Sequence, residues 1–264
     1  MQQKKKALHD GAAKSIASGY CRDCQQEHSF EEGEARSSCW ELMQFLEQEK
    51  RIDMMAQTGE TDPRLSTASL FGEARGKMFG VMVCQAADGN KRVLRAFSGQ
   101  YNGIWEVAGW APPLFKVEAF TRIYADIEPQ IKELGRLLQL VPPHSSPWVE
   151  LTRKRQHLSR QWMRDIHALY TLTNFREQER SLSEAFASNN GIPTGTGDCC
   201  APKLFNQAVR EKLIPLGLAE FYWGRENASH TRQHGNFYPS CAGKCAPILG
   251  FMLCGLDKLP AKRG

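Results

Sequence analysis

The chain has 264 residues, 41% of them hydrophobic and 24% charged, with a formal net charge of +5. That is enough apolar material for a globular core, in one large domain or one domain with appendages. No window approaches 18 uninterrupted apolar residues and the start, MQQKKKALHD, is basic without an apolar stretch behind it. Neither a membrane span nor a secretory leader is expected, and the expected address is cytoplasmic. In that reducing compartment nine cysteines point to metal ligation rather than disulfides. The mild positive charge permits a polyanionic partner without requiring one.

Residues 1–60 read as an N-terminal appendage with a lysine-rich tip, a Cys/His cluster, a helix from Ser37 to about Met55, and the turn-rich linker TGETDPRLS. Cys21 and Cys24 form a C-x-x-C pair, His28 follows four residues on, and Cys39 stands at the head of the helix. A tight pair with two later ligands of these types suits a closed tetrahedral zinc site, which folds a segment too small for its own core. A redox role for the C-x-x-C pair lacks the βαβ surroundings it needs.

Two β-favouring runs, Lys77 to Gln85 and Lys91 to Ser98, flank AADGN and predict a hairpin at the start of a second domain, residues 70–260. After an aromatic, glycine-rich loop, one helix is expected from Val117 to Leu140 and another from Trp148 towards Ala187, with VPPHSSP as the breaker. Together they make a helical-hairpin insert over about 116–188. The second helix is rich in arginine, with Trp162, Tyr170 and Phe175 interleaved. It reads either as a solvated face over buried aromatics or as a nucleic-acid-facing stripe, with Arg153, Arg155 and Arg160 as the RNA contacts. A Cys-Cys helix in TGTGDCCAPKLFNQAVREKL, the strand PLGLAEFYWG, and a last helix after YPSCAGKC complete the chain. The fold class is α/β in the α+β sense, a small sheet with flanking helices.

DCCAPK and YPSCAGKC resemble the two ligand-bearing helix starts of the zinc-dependent deaminase superfamily, with one residue more than usual between the last two thiols. The resemblance implies a deaminase-like sheet and zinc held by Cys199, Cys241 and Cys245, with His234 as a candidate fourth ligand and Cys200 pointing elsewhere. Helix N-termini favour thiolates, and three protein ligands leave a position for water. The family's proton-shuttling glutamate corresponds to Ala201 here, so Asp198 and Glu220 are the candidate replacement acid/base groups. A helix cap and a strand residue are their structural alternatives.

From about Gly76 to Leu256 the chain also resembles the region preceding the catalytic domain of some bacterial RluA-type pseudouridine synthases. GKMFGVMV, AFSG, GWAPPLF, GTGDCCAPKLFNQA, LAEFYWG and HGNFYPSCAGKCAPIL carry that likeness. The Arg-Leu-Asp catalytic segment of those enzymes is missing, so no isomerisation of uridine is expected. The likeness implies a setting in RNA modification, with tRNA or rRNA and a pseudouridine synthase as partners. The loop SGQYNGIWEVAGWAPPLF stands where related deaminases line their pocket, which makes Asn102, Trp105 and Trp110 candidates for holding a base. Two functions follow: a zinc-bearing module that binds or positions structured RNA, or an active zinc-dependent deaminase or hydrolase acting on a nucleotide or RNA base.

Overall fold

The computed structural model describes residues 15–56, 62–188 and 190–259, so the lysine-rich tip and most of the linker before Asp62 lie outside the described residues. The expected hairpin is present as β3 (Lys77–Gln85) and β4 (Lys91–Phe97). Its turn is built by Asp88, whose carboxylate accepts from Asn90 N at 2.9 Å. β7 (Ile214–Trp223) pairs antiparallel with the other edge of β3, giving a three-stranded sheet in the order β4-β3-β7. The central strand is covered on both faces, which accounts for its nearly continuous apolar run.

Alternation along the strands feeds two cores. Met82, Cys84, Leu94, Ala96 and Leu218 meet α5 (Cys200–Arg210) and α6 (Ala246–Leu253), while Phe79, Val81, Val83, Ala219 and Phe221 meet α1 (Ala35–Glu49). Within the stretch expected as an appendage, α1 packs into the main body and closes one face of the main sheet. The hairpin of β1 (Ser15–Cys21) and β2 (Gln26–Glu31) packs on α6. The approach is backbone to backbone, since a Cβ on Gly19 would strike Ala246 and Gly250, and one on Gly250 would strike Tyr20. α1 stops short of the expected Met55 because Lys50 turns left-handed at φ 53° and its carbonyl accepts from Thr67 N at 2.7 Å.

The helical hairpin exists as α2 (Val117–Leu138) and α3 (Ser146–Leu169), and no residue of α2 is fully buried, so the pair projects as an arm. α3 starts where Ser145 Oγ caps Trp148 N at 3.3 Å, with Pro147 in the first turn. It does not reach Ala187. A second hairpin, β5 (Thr171–Thr173) and β6 (Glu179–Ser181), follows, and then the short α4 (Leu182–Ala185). β-Branched Thr171 and Thr173 favour the strand, and Asn174 Oδ1 builds the turn by accepting from Arg176 N and Gln178 N, each at 3.0 Å. No helix among the described residues is long and apolar enough to cross a membrane.

Lys203 staples α5 to the end of β4. Its ammonium, in a side chain 1% exposed, donates to Phe97 O at 3.0 Å and Gly99 O at 2.8 Å. Burial lowers its pKa from 10.5 to about 8. The unfolded chain therefore holds this proton more tightly, and the cost of burying the charge is fully felt below pH about 8 and gone above 10.5. Denaturant unfolding of wild type and Lys203→Met across this window should show wild type gaining stability relative to the variant as pH rises. A pH-independent difference would contradict the assignment.

Candidate metal centre

Cys21 ends β1, Cys24 sits in the turn and His28 lies on β2, so a tight hairpin gathers three donors within eight residues of sequence. The fourth comes from the far end of the chain. The Cys21, Cys24 and Cys254 sulfurs and one His28 ring nitrogen all lie within 4.8 Å of one another. Cys24 Sγ is 3.0 Å from His28 Nε2 and 3.7 Å from Cys254 Sγ. Cys254 is the C-cap of α6. Three sulfurs and an imidazole gathered this closely are the donor set of a closed tetrahedral site, and this group can hold a metal ion. Arg180 secures the turn, pairing with Asp23 at 2.8 Å and lying over Phe251 at 5.3 Å.

Cys39 is not the fourth ligand. It is buried on α1 with its thiol donating to Ala219 O at 3.5 Å, and burial holds its pKa far above the usual thiol range. A thiol kept protonated in an apolar core is packing material. Cys254 escaped the sequence reading because it follows an apolar helix and stands 230 residues from Cys24. Its only local signal is its place at the end of that helix.

A second group of thiols meets at two helix N-termini. Cys199 caps α5, Cys245 caps α6, and the Cys245 thiol hydrogen-bonds to both Cys199 and Cys241. This cluster is looser than the first, which alone among the described residues has all its ligand atoms within 4.8 Å. The hydrogen bond from Cys245, helped by the N–H groups of Lys244, Gly243 and Cys245, lowers the Cys241 pKa to about 5. Cys200 turns the other way, over Gly80, and donates to Met78 O at 3.4 Å. His234 does not join the thiols: its Nδ1 accepts from Gly224 N at 3.1 Å and its ring lies 4.2 Å from that of Trp223.

The two acids separate clearly. Glu220, 3% exposed on the face of β7 towards α5, accepts from Ser240 Oγ at 2.8 Å and from the backbone N–H of Ala201. Burial pushes its pKa up to about 7, and nearby Cys241 adds to the rise. A strand carboxylate thus reaches the start of α5. Asp198 accepts from Tyr170 Oη at 2.6 Å, and burial raises its pKa against the pull of Tyr170, Lys203, Lys244 and Lys77. It is a half-buried anchor for its loop.

Arg153 and Arg160 are exposed on α3, and the helical repeat puts them in one line with His157 and Arg164. Arg155 is on the opposite side, its guanidinium carbon 3.9 Å from where a Cβ on Gly135 of α2 would stand. Of the three residues expected to hold a base, Trp105 alone lines a cleft. Trp110 is buried and donates to Ile52 O at 2.7 Å, so it cannot stack a ligand. Asn102 is exposed but its amide donates to Arg64 O at 2.6 Å and Ser69 Oγ at 3.2 Å.

No family model, curated protein or solved structure matches the chain.

Cys254→Ser should remove one metal equivalent from the purified protein and lower its thermal midpoint, whereas Cys39→Ser should keep the metal. Elemental analysis of the two variants decides it: loss from Cys39→Ser with retention in Cys254→Ser would restore the sequence assignment.

Proposed function

We propose that the protein is a zinc-binding module with a deaminase-like core that binds or positions structured RNA, such as tRNA or rRNA, alongside a pseudouridine synthase. The Cys21, Cys24, His28 and Cys254 set carries the zinc reading, because zinc takes such Cys3His sets in closed structural sites. The core plan is supported by the chain order of an antiparallel hairpin, a cysteine-capped helix, a strand beside the first strand of the hairpin, and a second cysteine-capped helix. The RNA reading is supported by the arm. Arg153, His157, Arg160 and Arg164 recur about every turn over roughly 16 Å of α3, at 1.5 Å rise per residue. Glu150, one turn before Arg153, is paired with Lys154 at 2.7 Å, and Asp165, next to Arg164, accepts from Gln161 at 3.0 Å; no acid stands in the line itself, which is positive. A regular row of guanidinium groups on a projecting helix matches a row of backbone phosphates.

A second reading is favoured by Glu220. Zinc at Cys199, Cys241 and Cys245 would supply a Lewis acid and an activated water, as in a deaminase or hydrolase. In that reading Glu220 holds and moves the proton in place of the glutamate missing at Ala201. Its raised pKa and its hydrogen bond from the α5 N-terminus suit it to that part. Asp198, held by Tyr170, does not take this role.

Replacing Arg153, Arg160 and Arg164 together with Gln should lower the slope of log affinity for structured RNA against log salt by roughly two to three, at about 0.7–0.9 per phosphate contact. Arg155→Gln alone should change it by less than one such contact. An unchanged slope in the triple variant returns α3 to a solvated face.

The second site is tested by metal content and turnover. Cys245→Ser should lose a second zinc equivalent, and Cys200→Ser should not. Zinc-dependent ammonia release from an RNA base that Glu220→Gln abolishes and Asp198→Asn leaves intact would establish the active reading. A single zinc equivalent in wild type, held only by the knuckle, would remove it.

A further inference from the structure

We infer that the cavity between the 53–56 turn and the 104–108 loop binds an aliphatic diamine or polyamine, an activity independent of the zinc and RNA readings. The cavity has a volume of about 430 Å³, within the range of small-ligand sites. Met55, Leu65, Ile104 and Val107 give it apolar walls. Its charged lining is acidic: the carboxylates of Asp53, Asp62 and Glu106 stand against the single guanidinium of Arg64.

Asp53 is the group that lacks a partner. Its side chain is only 9% exposed, and both carboxylate oxygens are buried without a hydrogen bond. Arg51 Nε stands 3.9 Å from Oδ1, beyond hydrogen-bond range, and the same guanidinium also lies 3.7 Å from Glu49. A carboxylate buried in this way is costly, and native structures answer such groups with a donor, a water or an ion. Asp62 is already satisfied, because Arg64 donates to its Oδ2 at 2.6 and 3.0 Å. Glu106 is exposed on the facing loop and has no hydrogen bond or ion pair among the described residues. Two carboxylates of the cavity are therefore unused by the protein.

The walls are fixed before any ligand arrives. Ile52 N donates to Leu65 O at 2.9 Å, Ile52 O accepts from Trp110 Nε1 at 2.7 Å, and Ala56 N closes the turn onto Asp53 O at 3.2 Å. Little ordering remains to oppose binding. Spacing and lining select the occupant. Among the described residues only the cysteine–histidine set brings three ligand atoms within 4.8 Å, so a bare divalent cation would find too few oxygens here. An alkylammonium suits the cavity better: its N–H groups match the acceptor-only carboxylates, and its methylenes match the apolar walls. With Asp53 buried and Glu106 on the exposed loop, a chain bearing an amino group at each end satisfies both. A monoamine would leave one of them unmatched.

Calorimetric titration and thermal melting of the full chain with spermidine, butylamine and magnesium chloride test the inference. Spermidine should bind, raise the melting midpoint, and bind about tenfold more tightly than butylamine, while magnesium at equal ionic strength should not reproduce the shift. Asp53→Asn and Glu106→Gln should each weaken spermidine about tenfold. Without amine, Asp53→Asn should melt no lower than wild type, because it removes a buried charge that makes no hydrogen bond. A midpoint well below wild type would mean that the protein itself uses this carboxylate, and would overturn the inference. Glu106 is exposed, so Glu106→Gln keeps the fold and its binding can be read in either case. No binding of spermidine, equal binding of butylamine, an equal shift from magnesium, or spermidine affinity that either substitution leaves unchanged also overturns it.

Discussion

The contact between Cys254 and Cys24, 3.7 Å sulfur to sulfur, joins the two ends of the described chain, and the rest of the arrangement depends on it. The N-terminal hairpin has only two strands, too few to be stable alone in water. It is held by α6, through the glycine-lined backbone contact and the four-donor cluster at the end of that helix. Binding of a structural zinc is worth on the order of 10–16 kcal/mol in small peptides, comparable with the whole stability of a domain. One ion at this point would therefore fix both the hairpin and the C-terminal end of α6. The same helix carries Cys245 at its other cap, so α6 links the two thiol clusters.

Glu220 places a carboxylate at the start of α5 from a strand and not from the helix itself. A helix glutamate two residues after Cys199 would occupy the position of Ala201, whose side chain is fully buried against the sheet. The carboxylate instead rises from β7 and takes the N–H of Ala201, which puts negative charge at a helix N-terminus where the dipole favours it. Burial works in the opposite direction and raises its pKa to about 7, so the group is about half ionised near pH 7.

Local features were legible in the sequence. The Asp-Gly-Asn turn fixed the β3–β4 hairpin, the diproline fixed the break between α2 and α3, and the C-x-x-C pair marked the knuckle. Cys199 against Cys200 was also readable, because consecutive positions at a helix start point in different directions. What failed to show was tertiary. Cys254 looks like core until the fold brings it to the knuckle, and Cys39 looks like a ligand until α1 is packed on the sheet. His234 lies near the cysteines in sequence but is turned away by its hydrogen bond to Gly224. The end of α3 was missed because Asn174 builds its turn with a side chain, a signal weaker than the helical pattern before it.

The central claim is that one metal holds the N-terminal hairpin and α6 as a unit. Amide hydrogen exchange of the metal-loaded protein, before and after chelation, measures it most directly. Removing the metal should release protection in β1, β2 and the C-terminal half of α6 together, while β3 and β7 keep theirs. Protection that persists in the hairpin after the metal is gone, or that is lost from the hairpin with α6 unchanged, would contradict the account.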